Sequence, residues 1–149
     1  MELKNTLINI KNFIINKITQ GFGILLIILG LLFLVSLITY SPEDPNFVIS
    51  DKGEIKNILG FNGSLISDFF FQSIGLISLL MPITIVFTGL NIFLKKNLII
   101  LLENIFYLII YSILGSICLS YYYQDAFWLS INGNGGYIGV YLSESFIKN

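Results

Sequence analysis

Histidine and arginine are absent from the 149 residues of this chain, and only one cysteine, Cys118, is present. A single cysteine excludes an internal disulfide framework and a cysteine-rich zinc site. Without histidine, the Ser-His-Asp and Cys-His arrangements of hydrolases cannot form. Charge is also scarce, at 11% of residues against roughly one quarter in soluble domains. The composition argues against a soluble enzyme, and a net charge of -1 argues against a basic nucleic-acid-binding domain.

Apolar residues make up 55% of the chain, and they are concentrated in three stretches without charge. These stretches contain 25, 26 and 21 uncharged residues, between Lys17 and Glu43, between Asp68 and Lys95, and between Glu103 and Asp125. Each exceeds the about 20 residues that a helix needs to cross a hydrocarbon core of about 30 Å. The sequence therefore predicts an all-α integral membrane helical bundle, with transmembrane helices at about 21–40, 69–94 and 98–123.

Two features of these stretches need interpretation. The apolar run at 24–35 has the length of a signal peptide core, but no small-x-small cleavage site follows it, which favours a retained helix. In the second stretch, Pro82 lacks a backbone donor, and we expect a kink near it.

The lysines predict the orientation of the chain, because positive residues in short loops remain on the cytoplasmic side. Three lysines precede the first span, and Lys95 and Lys96 lie between the second and third spans. The predicted loop at 41–68 has five acids and two lysines, and the predicted loop at 124–136 has no lysine. We therefore expect a cytoplasmic N-terminus, with both of these loops on the outer side.

The N-terminal segment of the chain is amphipathic, and the C-terminal segment is short. Residues 1–20 place apolar side chains at helical spacing between lysines and asparagines, which predicts a cytoplasmic amphipathic helix on the lipid surface, with a partner-binding helix as the alternative. Residues 137–149 are too few to cross a bilayer. We interpret them as the start of a fourth transmembrane helix in a fragment, or as a segment at the outer interface.

A few polar residues are candidates for chemistry. Glu43 and Asp44 are adjacent carboxylates, which are more typical of a solvated loop than of a metal site. Glu103 lies near the cytoplasmic end of the third span, where snorkelling of its side chain to the interface, or pairing with Lys95 or Lys96, is favoured over a proton pathway. Cys118 is expected to be a small buried apolar residue.

Specific motifs, in order, resemble the N-terminal four-helix membrane domain of the FtsK/SpoIIIE DNA translocases. Residues 37–47 (LITYSPEDPNF) resemble the end of its first helix and the start of its outer loop. Residues 57–68, 72–75 and 80–82 are similar to its glycine turn, its Gln-x-x-Gly and its Leu-x-Pro elements. Residues 135–139 (GGYIG) resemble the Gly-Gly-x-x-Gly before its fourth helix. The motif residues are Tyr40, Ser41, Pro42, Asp44, Pro45, Gly60, Gly63, Asp68, Gln72, Gly75, Pro82, Gly135, Gly136 and Gly139.

This resemblance implies a membrane-anchor domain, residues 21–149, in the bacterial inner membrane at the division septum. It implies a homo-oligomer, a hexamer, in contact with other division proteins and with the lipid bilayer. ATP and Mg²⁺ would be cofactors of a motor domain, and DNA would be bound only through that motor. No Gly-x-x-x-x-Gly-Lys-Ser/Thr loop occurs here, so we expect no catalysis and no cofactor in this chain.

Two other functions remain open on the sequence alone. A small transporter or channel subunit would need intramembrane polar residues along a path, and the candidates are Gln72, Asn91, Glu103 and Asn104. A membrane-bound enzyme would need a catalytic constellation, and the sequence does not provide an evident one.

Overall fold

The computed structural model describes residues 2–45, 54–123, 129 and 131–147, and the regular elements of these residues are all helices. They are α1 (Glu2–Ile38), α2 (Gly60–Ile74), a 3-10 helix (Gly75–Leu79), α3 (Leu80–Lys95), α4 (Ile99–Tyr122) and α5 (Gly136–Ile147). Three segments are long and apolar enough to cross a membrane, namely Leu3–Ile38, Gly60–Lys95 and Ile99–Tyr122. The predicted all-α membrane bundle is confirmed.

Helix α1 is one continuous helix of 37 residues, without a break at the predicted boundary between residues 20 and 21. At 1.5 Å per residue it is about 55 Å long, which exceeds a hydrocarbon core of about 30 Å. The side chain of Gln20 reaches the carbonyl of Phe93 near the end of α3. The first 17 or so residues of α1 therefore extend past α3, and their side chains are mostly exposed.

Helices α1 and α3 pack closely because glycines face each other. A Cβ atom placed on Gly23 would lie 2.7 Å from the carbonyl oxygen of Gly89, and one placed on Gly89 would lie 2.6 Å from the carbonyl oxygen of Gly23. One further contact involves Gly30, where a Cβ would lie 2.8 Å from Val86. Small residues allow this approach in membrane helices, where dispersion contacts drive association.

Helix α2 begins at Gly60, nine residues before the predicted start of the second span at residue 69, so the predicted loop at 41–68 is shorter than expected. The charge of Asp68 suggests a boundary, but the buried face of α2 continues on both sides of it. That face consists of Gly63, Ser64, Ser67, Phe71 and Ile74. The hydroxyl of Ser67 donates a hydrogen bond to the carbonyl of Gly63 at 2.9 Å, so a polar residue is tolerated on this buried face.

The interruption in the second span lies at Gly75–Leu79, before Pro82. Gly75 has φ 72° and ψ -151°, a conformation essentially restricted to glycine, and the chain continues as a 3-10 helix. Pro82 is the third residue of α3, where its missing N–H removes no helical hydrogen bond. The expectation of a kink near Pro82 is therefore wrong. The span is interrupted at Gly75, and the cause is the backbone conformation of this glycine rather than the missing N–H of a proline.

Helix α4 agrees with the predicted third span to within one residue at each end. Helix α5 has 12 residues and begins at Gly136, one residue before the predicted fourth segment. Glu103 is exposed and forms no ion pair with Lys95 or Lys96 in the described part of the chain, so the expected pairing is wrong. Cys118 is exposed as well, contrary to expectation. Residues 46–53, 124–128 and 130 of the predicted loops, and residues 148–149 of the predicted fourth segment, lie outside the described residues.

The hydrophobic core lies at one end of the bundle, beside the C-terminus of α1. Its buried members are Leu37, Tyr40, Phe71 and Leu129, and Phe33 and Phe70 pack against it. Most other large apolar side chains are exposed on the helix surfaces, as expected for helices that face lipid. The end with the core is opposite the turn that contains Lys95 and Lys96.

Candidate functional site

Most of the motif residues of the sequence lie at this end of the bundle, whereas Pro82 lies beside Gly30 of α1. We use the term polar junction for the group formed by Ser36, Tyr40, Asp44, Asn57, Gly63, Asp68, Gln72 and Asn132. It connects the end of α1, the segment that follows it, α2 and the turn before α5.

Asp44 holds the two ends of the segment between α1 and α2 together. Its side chain is only 2% exposed. One carboxylate oxygen accepts the backbone N–H of Lys56 and the other accepts that of Asn57, both at 2.9 Å. A buried carboxylate requires such donors, because hydrogen bonds to the ionised group offset its desolvation. The expectation of a solvated Asp44 is therefore wrong.

Asn57 continues this connection into the helices. Its amide nitrogen donates to the carbonyl of Ser36 at 2.9 Å, and its Oδ1 accepts the N–H of Leu59 at 3.1 Å. Ser36 in turn donates to the carbonyl of Gly63 at 2.7 Å. A Cβ on Gly63 would lie 2.2 Å from Oδ1 of Asn57, so only glycine leaves room for this amide.

Tyr40 and Asp68 form the second half of the polar junction. The phenol of Tyr40 donates to Oδ1 of Asp68 at 3.2 Å, and Nε2 of Gln72 donates to the same oxygen at 3.4 Å. The ring of Tyr40 packs against that of Phe71, with centroids 4.8 Å apart. Burial, and then the carboxylate of Asp68, raise the pKa of Tyr40 to about 12. Tyr40 is therefore neutral and remains a donor at physiological pH.

Asn132 joins the turn before α5 to α2. Its amide nitrogen donates to Oε1 of Gln72 at 2.9 Å and to the carbonyl of Gln72 at 3.3 Å. Gln72 therefore connects Asp68 on one side with Asn132 on the other. Sequence reasoning missed Asn132 and Ser36, because their partners are 60 and 27 residues away and no local pattern marks them.

Glycines bring the backbone of this turn into contact with the interrupted span. The N–H of Leu76 donates to the carbonyl of Asn134 at 2.9 Å. A Cβ on Gly75 would lie 2.1 Å from that same oxygen, and one on Gly136 would lie 2.4 Å from the nitrogen of Gly75. Gly136 also has φ 64°, which favours glycine.

Helix α5 is held to α4 by the same glycine motif. The hydroxyl of Ser116 donates to the carbonyl of Gly135 through a short hydrogen bond. Cβ atoms on Gly135 and Gly139 would lie 2.5 Å and 2.3 Å from the carbonyl oxygen of Ser116. Gly135, Gly136 and Gly139 thus act through close backbone contacts.

The remaining motif residues have smaller roles. Ser41 accepts the N–H of Glu43 at 3.4 Å, Pro42 is exposed, and the carbonyl of Pro45 accepts the hydroxyl of Ser64 at 3.0 Å. Gly60 has φ 65° with open space around it. Within the described residues, no three His, Cys, Asp or Glu side chains lie close enough together to hold a metal ion.

An exposed ion pair lies at the edge of the polar junction, between Glu43 and Lys56. The hydrogen bond between them lowers the pKa of Glu43 and raises that of Lys56. Because both side chains are in solvent, the pair contributes little to stability.

The Tyr40 phenol provides a pH-dependent test. The difference between the spectra of the unmodified chain and of Y40F, followed through a pH titration, should assign to Tyr40 an ionisation near pH 12, above the ordinary value of 10.0. The unfolded chain loses this proton first, so the stability that Tyr40 contributes is complete below pH 10 and falls as the pH rises to about 12. D68N should lower this pKa while leaving it above 10.0, because burial is the larger cause. Ionisation of Tyr40 together with the exposed tyrosines would contradict the buried hydrogen bond.

The polar residues considered for a transport path lie in separate groups. Gln72 belongs to the polar junction, whereas Asn104 donates to Thr88 at 2.8 Å between α3 and α4. Glu103 is exposed on the surface of α4. The residues of the polar junction form hydrogen bonds to buried polar groups and connect the ends of the helices.

Comparison with known proteins identifies related sequences. The family described as the 4TM region of DNA translocase FtsK/SpoIIIE matches residues 17–148. The DNA translocase FtsK of Rickettsia bellii is 31% identical over 85 residues, which are 55% of this chain and 11% of that protein. The DNA translocase FtsK of Rickettsia prowazekii is 33% identical over 82 residues, which are 53% of this chain and 11% of that protein. The matched part of the chain thus spans about a tenth of the length of these relatives. No solved structure matches.

Proposed function

Because this chain belongs to the family of the 4TM region of DNA translocase FtsK/SpoIIIE, we propose that it holds such a translocase at the division septum for chromosome segregation. Its role as a multi-pass membrane anchor of the inner membrane follows from the family and from the three membrane-spanning segments. Beyond this anchor role, we propose that the chain is located at the division septum and acts in chromosome segregation.

The observation that supports this proposal is the polar junction. An anchor has to keep its helices together while force acts on the attached part of the protein. Buried hydrogen bonds between α1, α2 and the turn before α5 resist separation of these elements, because each broken bond leaves a buried polar group unsatisfied. Family-motif residues of the sequence, among them Tyr40, Asp44 and Asp68, supply these bonds.

The orientation in this proposal is a cytoplasmic N-terminus. The lysines before the first span and at Lys95 and Lys96 support it, through the preference of positive loops for the cytoplasm. The polar junction is at the end of the bundle opposite Lys95 and Lys96, so it would face outward. It would then be positioned to meet other division proteins.

The remaining parts of the proposal concern the whole translocase. We infer that copies of the domain assemble as a homo-oligomer, a hexamer, and that a motor domain attached to it uses ATP and Mg²⁺ to move DNA. In this proposal the membrane domain itself has no cofactor and performs no catalysis, and DNA is contacted only by the motor.

Fluorescence microscopy tests the localisation and the orientation together. A green fluorescent protein fused to the N-terminus and exported by the general secretory route does not fluoresce, so fluorescence requires a cytoplasmic N-terminus. We expect a bright band at the septum of dividing bacterial cells. Even fluorescence around the cell membrane would contradict the septal role, and a dark but stably inserted fusion would contradict the orientation.

The control uses variants that separate anchoring from septal targeting. D44A disrupts the polar junction, whereas E43Q changes the neighbouring exposed carboxylate. E43Q should retain the septal band, and D44A should weaken it while the protein remains in the membrane fraction. A septal band of full intensity in D44A would contradict the role of the polar junction in the anchor.

A further inference from the structure

The first part of α1 presents an apolar stripe that the described part of the chain does not cover. We use the term N-terminal arm for residues 3–18, which extend past the end of α3. Every side chain from residue 3 to residue 15 is exposed. Five aliphatic side chains of the arm are between 50% and 82% exposed, namely Leu3, Leu7, Ile10, Ile14 and Ile18. Their spacing of three or four residues places them along one side of the helix, so they form a continuous apolar stripe.

The charge of the N-terminal arm has one sign. Residues 3–20 contain three lysines, Lys4, Lys11 and Lys17, and no acid. At 3.6 residues per turn, Lys4 and Lys11 lie on one flank of the apolar stripe and Lys17 lies on the other flank. The opposite side of the arm carries four asparagines, Asn5, Asn9, Asn12 and Asn16. An apolar stripe between lysines, with a polar side opposite, is typical of a helix that lies on a membrane surface.

The apolar stripe is on the side of α1 that faces lipid. Helix α3 packs against the side of α1 that contains Gly23 and Gly30. Leu25 and Leu32, which are 49% and 46% exposed, follow Ile18 at intervals of seven residues, so they continue the stripe on the side opposite these glycines. A bend of the arm away from α3 would therefore turn the stripe toward the membrane surface, without rotation of the helix about its axis.

Gly21 is positioned for such a bend. It lies in the stripe, three residues after Ile18 and four before Leu25, and it follows Gln20, whose side chain reaches the carbonyl of Phe93 near the end of α3. A Cβ on Gly21 would meet nothing within 4 Å, so no packing contact requires glycine at this position. Glycine lowers the stability of a straight helix, and the missing side chain leaves room on the concave side of a bend. The helix can therefore bend most easily where the arm leaves α3.

The lysines indicate what covers the apolar stripe. Lys4, Lys11 and Lys17 on its two flanks would repel the same lysines of a second arm, which argues against pairing between two copies. Anionic lipid headgroups attract each of these ammonium groups, and the long lysine side chains can reach them while the stripe is buried. Because α1 continues into the membrane, the lipid surface is always next to the arm.

We propose that the N-terminal arm binds the anionic surface of the bilayer, with a bend of α1 at Gly21. The apolar stripe enters the boundary between headgroups and acyl chains, the lysine ammonium groups contact lipid phosphates, and the asparagines remain in water. This interaction is independent of the proposed septal role, and it requires no other protein.

Fluorescence quenching in lipid vesicles tests the proposal with the full chain. The variant C118S is reconstituted into vesicles of phosphatidylcholine and phosphatidylglycerol whose acyl chains carry bromine, which quenches a nearby fluorophore. The added substitution I14C places the fluorophore on the apolar stripe, and N12C places it on the opposite side of the arm. We expect severalfold more quenching for I14C than for N12C. Equal quenching at the two positions, or no quenching at either, overturns the proposal.

Lysine variants test the contribution of charge. The fraction of phosphatidylglycerol is set to give half-maximal quenching at position 14. Each lysine near an anionic surface contributes about fivefold to binding, so K4Q/K11Q should lower the ratio of bound to free arm about 25-fold. K95Q/K96Q removes two exposed lysines outside the arm and should leave this ratio unchanged. Vesicles of phosphatidylcholine alone should also release the arm. Full quenching in K4Q/K11Q, or in phosphatidylcholine alone, overturns the role of anionic lipid.

The bend is tested separately with G21A. Alanine favours the straight helix, so the ratio of bound to free arm should fall about twofold to fivefold. An unchanged ratio in G21A overturns the bend at Gly21.

Discussion

Replacing Gly75 with alanine should destabilise the bundle by about 4 kcal/mol, the largest loss that we expect from any single added methyl group. The new Cβ would lie 2.1 Å from the carbonyl oxygen of Asn134 and 2.6 Å from the nitrogen of Gly136. Both are backbone atoms, so no side chain can rotate away. The backbone at Gly75, with φ 72° and ψ -151°, adds strain of about 1–3 kcal/mol for any other residue.

Two alanine variants separate the steric part of this effect from the conformational part. Gly133 has φ 68° but nothing within 4 Å of an added Cβ, so G133A should cost only about 1–2 kcal/mol. Gly21 lies within α1 and also has open space, so G21A should stabilise the helix by about 0.5–1 kcal/mol. The measurement is the free energy of unfolding from titration with sodium dodecyl sulfate in mixed micelles, followed by circular dichroism.

The order of these three variants is the decisive result. If G75A costs no more than G133A, the backbone contact between the interrupted span and the turn before α5 does not contribute to stability. G136A provides an independent check from the other side of the contact, since its Cβ would lie 2.4 Å from the nitrogen of Gly75. We expect its cost to be similar to that of G75A.

Replacing Asp44 with alanine should also have a large effect, about 3 kcal/mol, the largest that we expect from removing a polar side chain. The variant leaves the N–H groups of Lys56 and Asn57 without their carboxylate acceptors, and each hydrogen bond to a charged group contributes about 1.5–3 kcal/mol. Part of this loss is recovered because the ionised carboxylate is no longer desolvated. The segment between α1 and α2 should then separate from the end of α1.

Glu43 provides the matched control, because it is the adjacent carboxylate and is exposed. E43Q removes only the ion pair with Lys56 and should leave the free energy of unfolding unchanged within error. D44N keeps one acceptor oxygen but turns an NH₂ group toward a backbone N–H. Its loss in the free energy of unfolding should therefore be more than half of the loss in D44A. Equal unfolding free energies for D44A and E43Q, in the same micelle titration, would show that the buried hydrogen bonds of Asp44 are not structurally important.

The membrane spans could be predicted from the sequence because their cause is local. A charged side chain in the hydrocarbon core is costly, so long gaps between charges indicate where the chain crosses. The third span agrees with the structure to within one residue at each end. The motif residues could also be recognised, because the order of YSPEDP, the glycine turn and GGYIG resembles one family.

The start of α2 could not be predicted in this way. The charge of Asp68 indicates a boundary, but this residue accepts hydrogen bonds from Tyr40 and Gln72 and lies within a longer helix. The predicted position of the break in the second span is wrong for a related reason. Pro82 carries a visible sequence signal, whereas the break at Gly75 comes from a backbone conformation essentially restricted to glycine, and Asn134 and Gly136 occupy the space where a side chain would lie.

The sequence by itself determined that this chain is a bundle of membrane-spanning helices and to which family it belongs. These conclusions depend on hydrophobicity, charge spacing and residue order, which are properties of short segments. Only the tertiary structure decided that Asp44 is buried, that Asn57 and Asn132 connect separate elements, and that the glycines serve as backbone contacts. Each of these depends on partners that are distant along the chain, and no local pattern records which distant groups will satisfy a buried donor or acceptor.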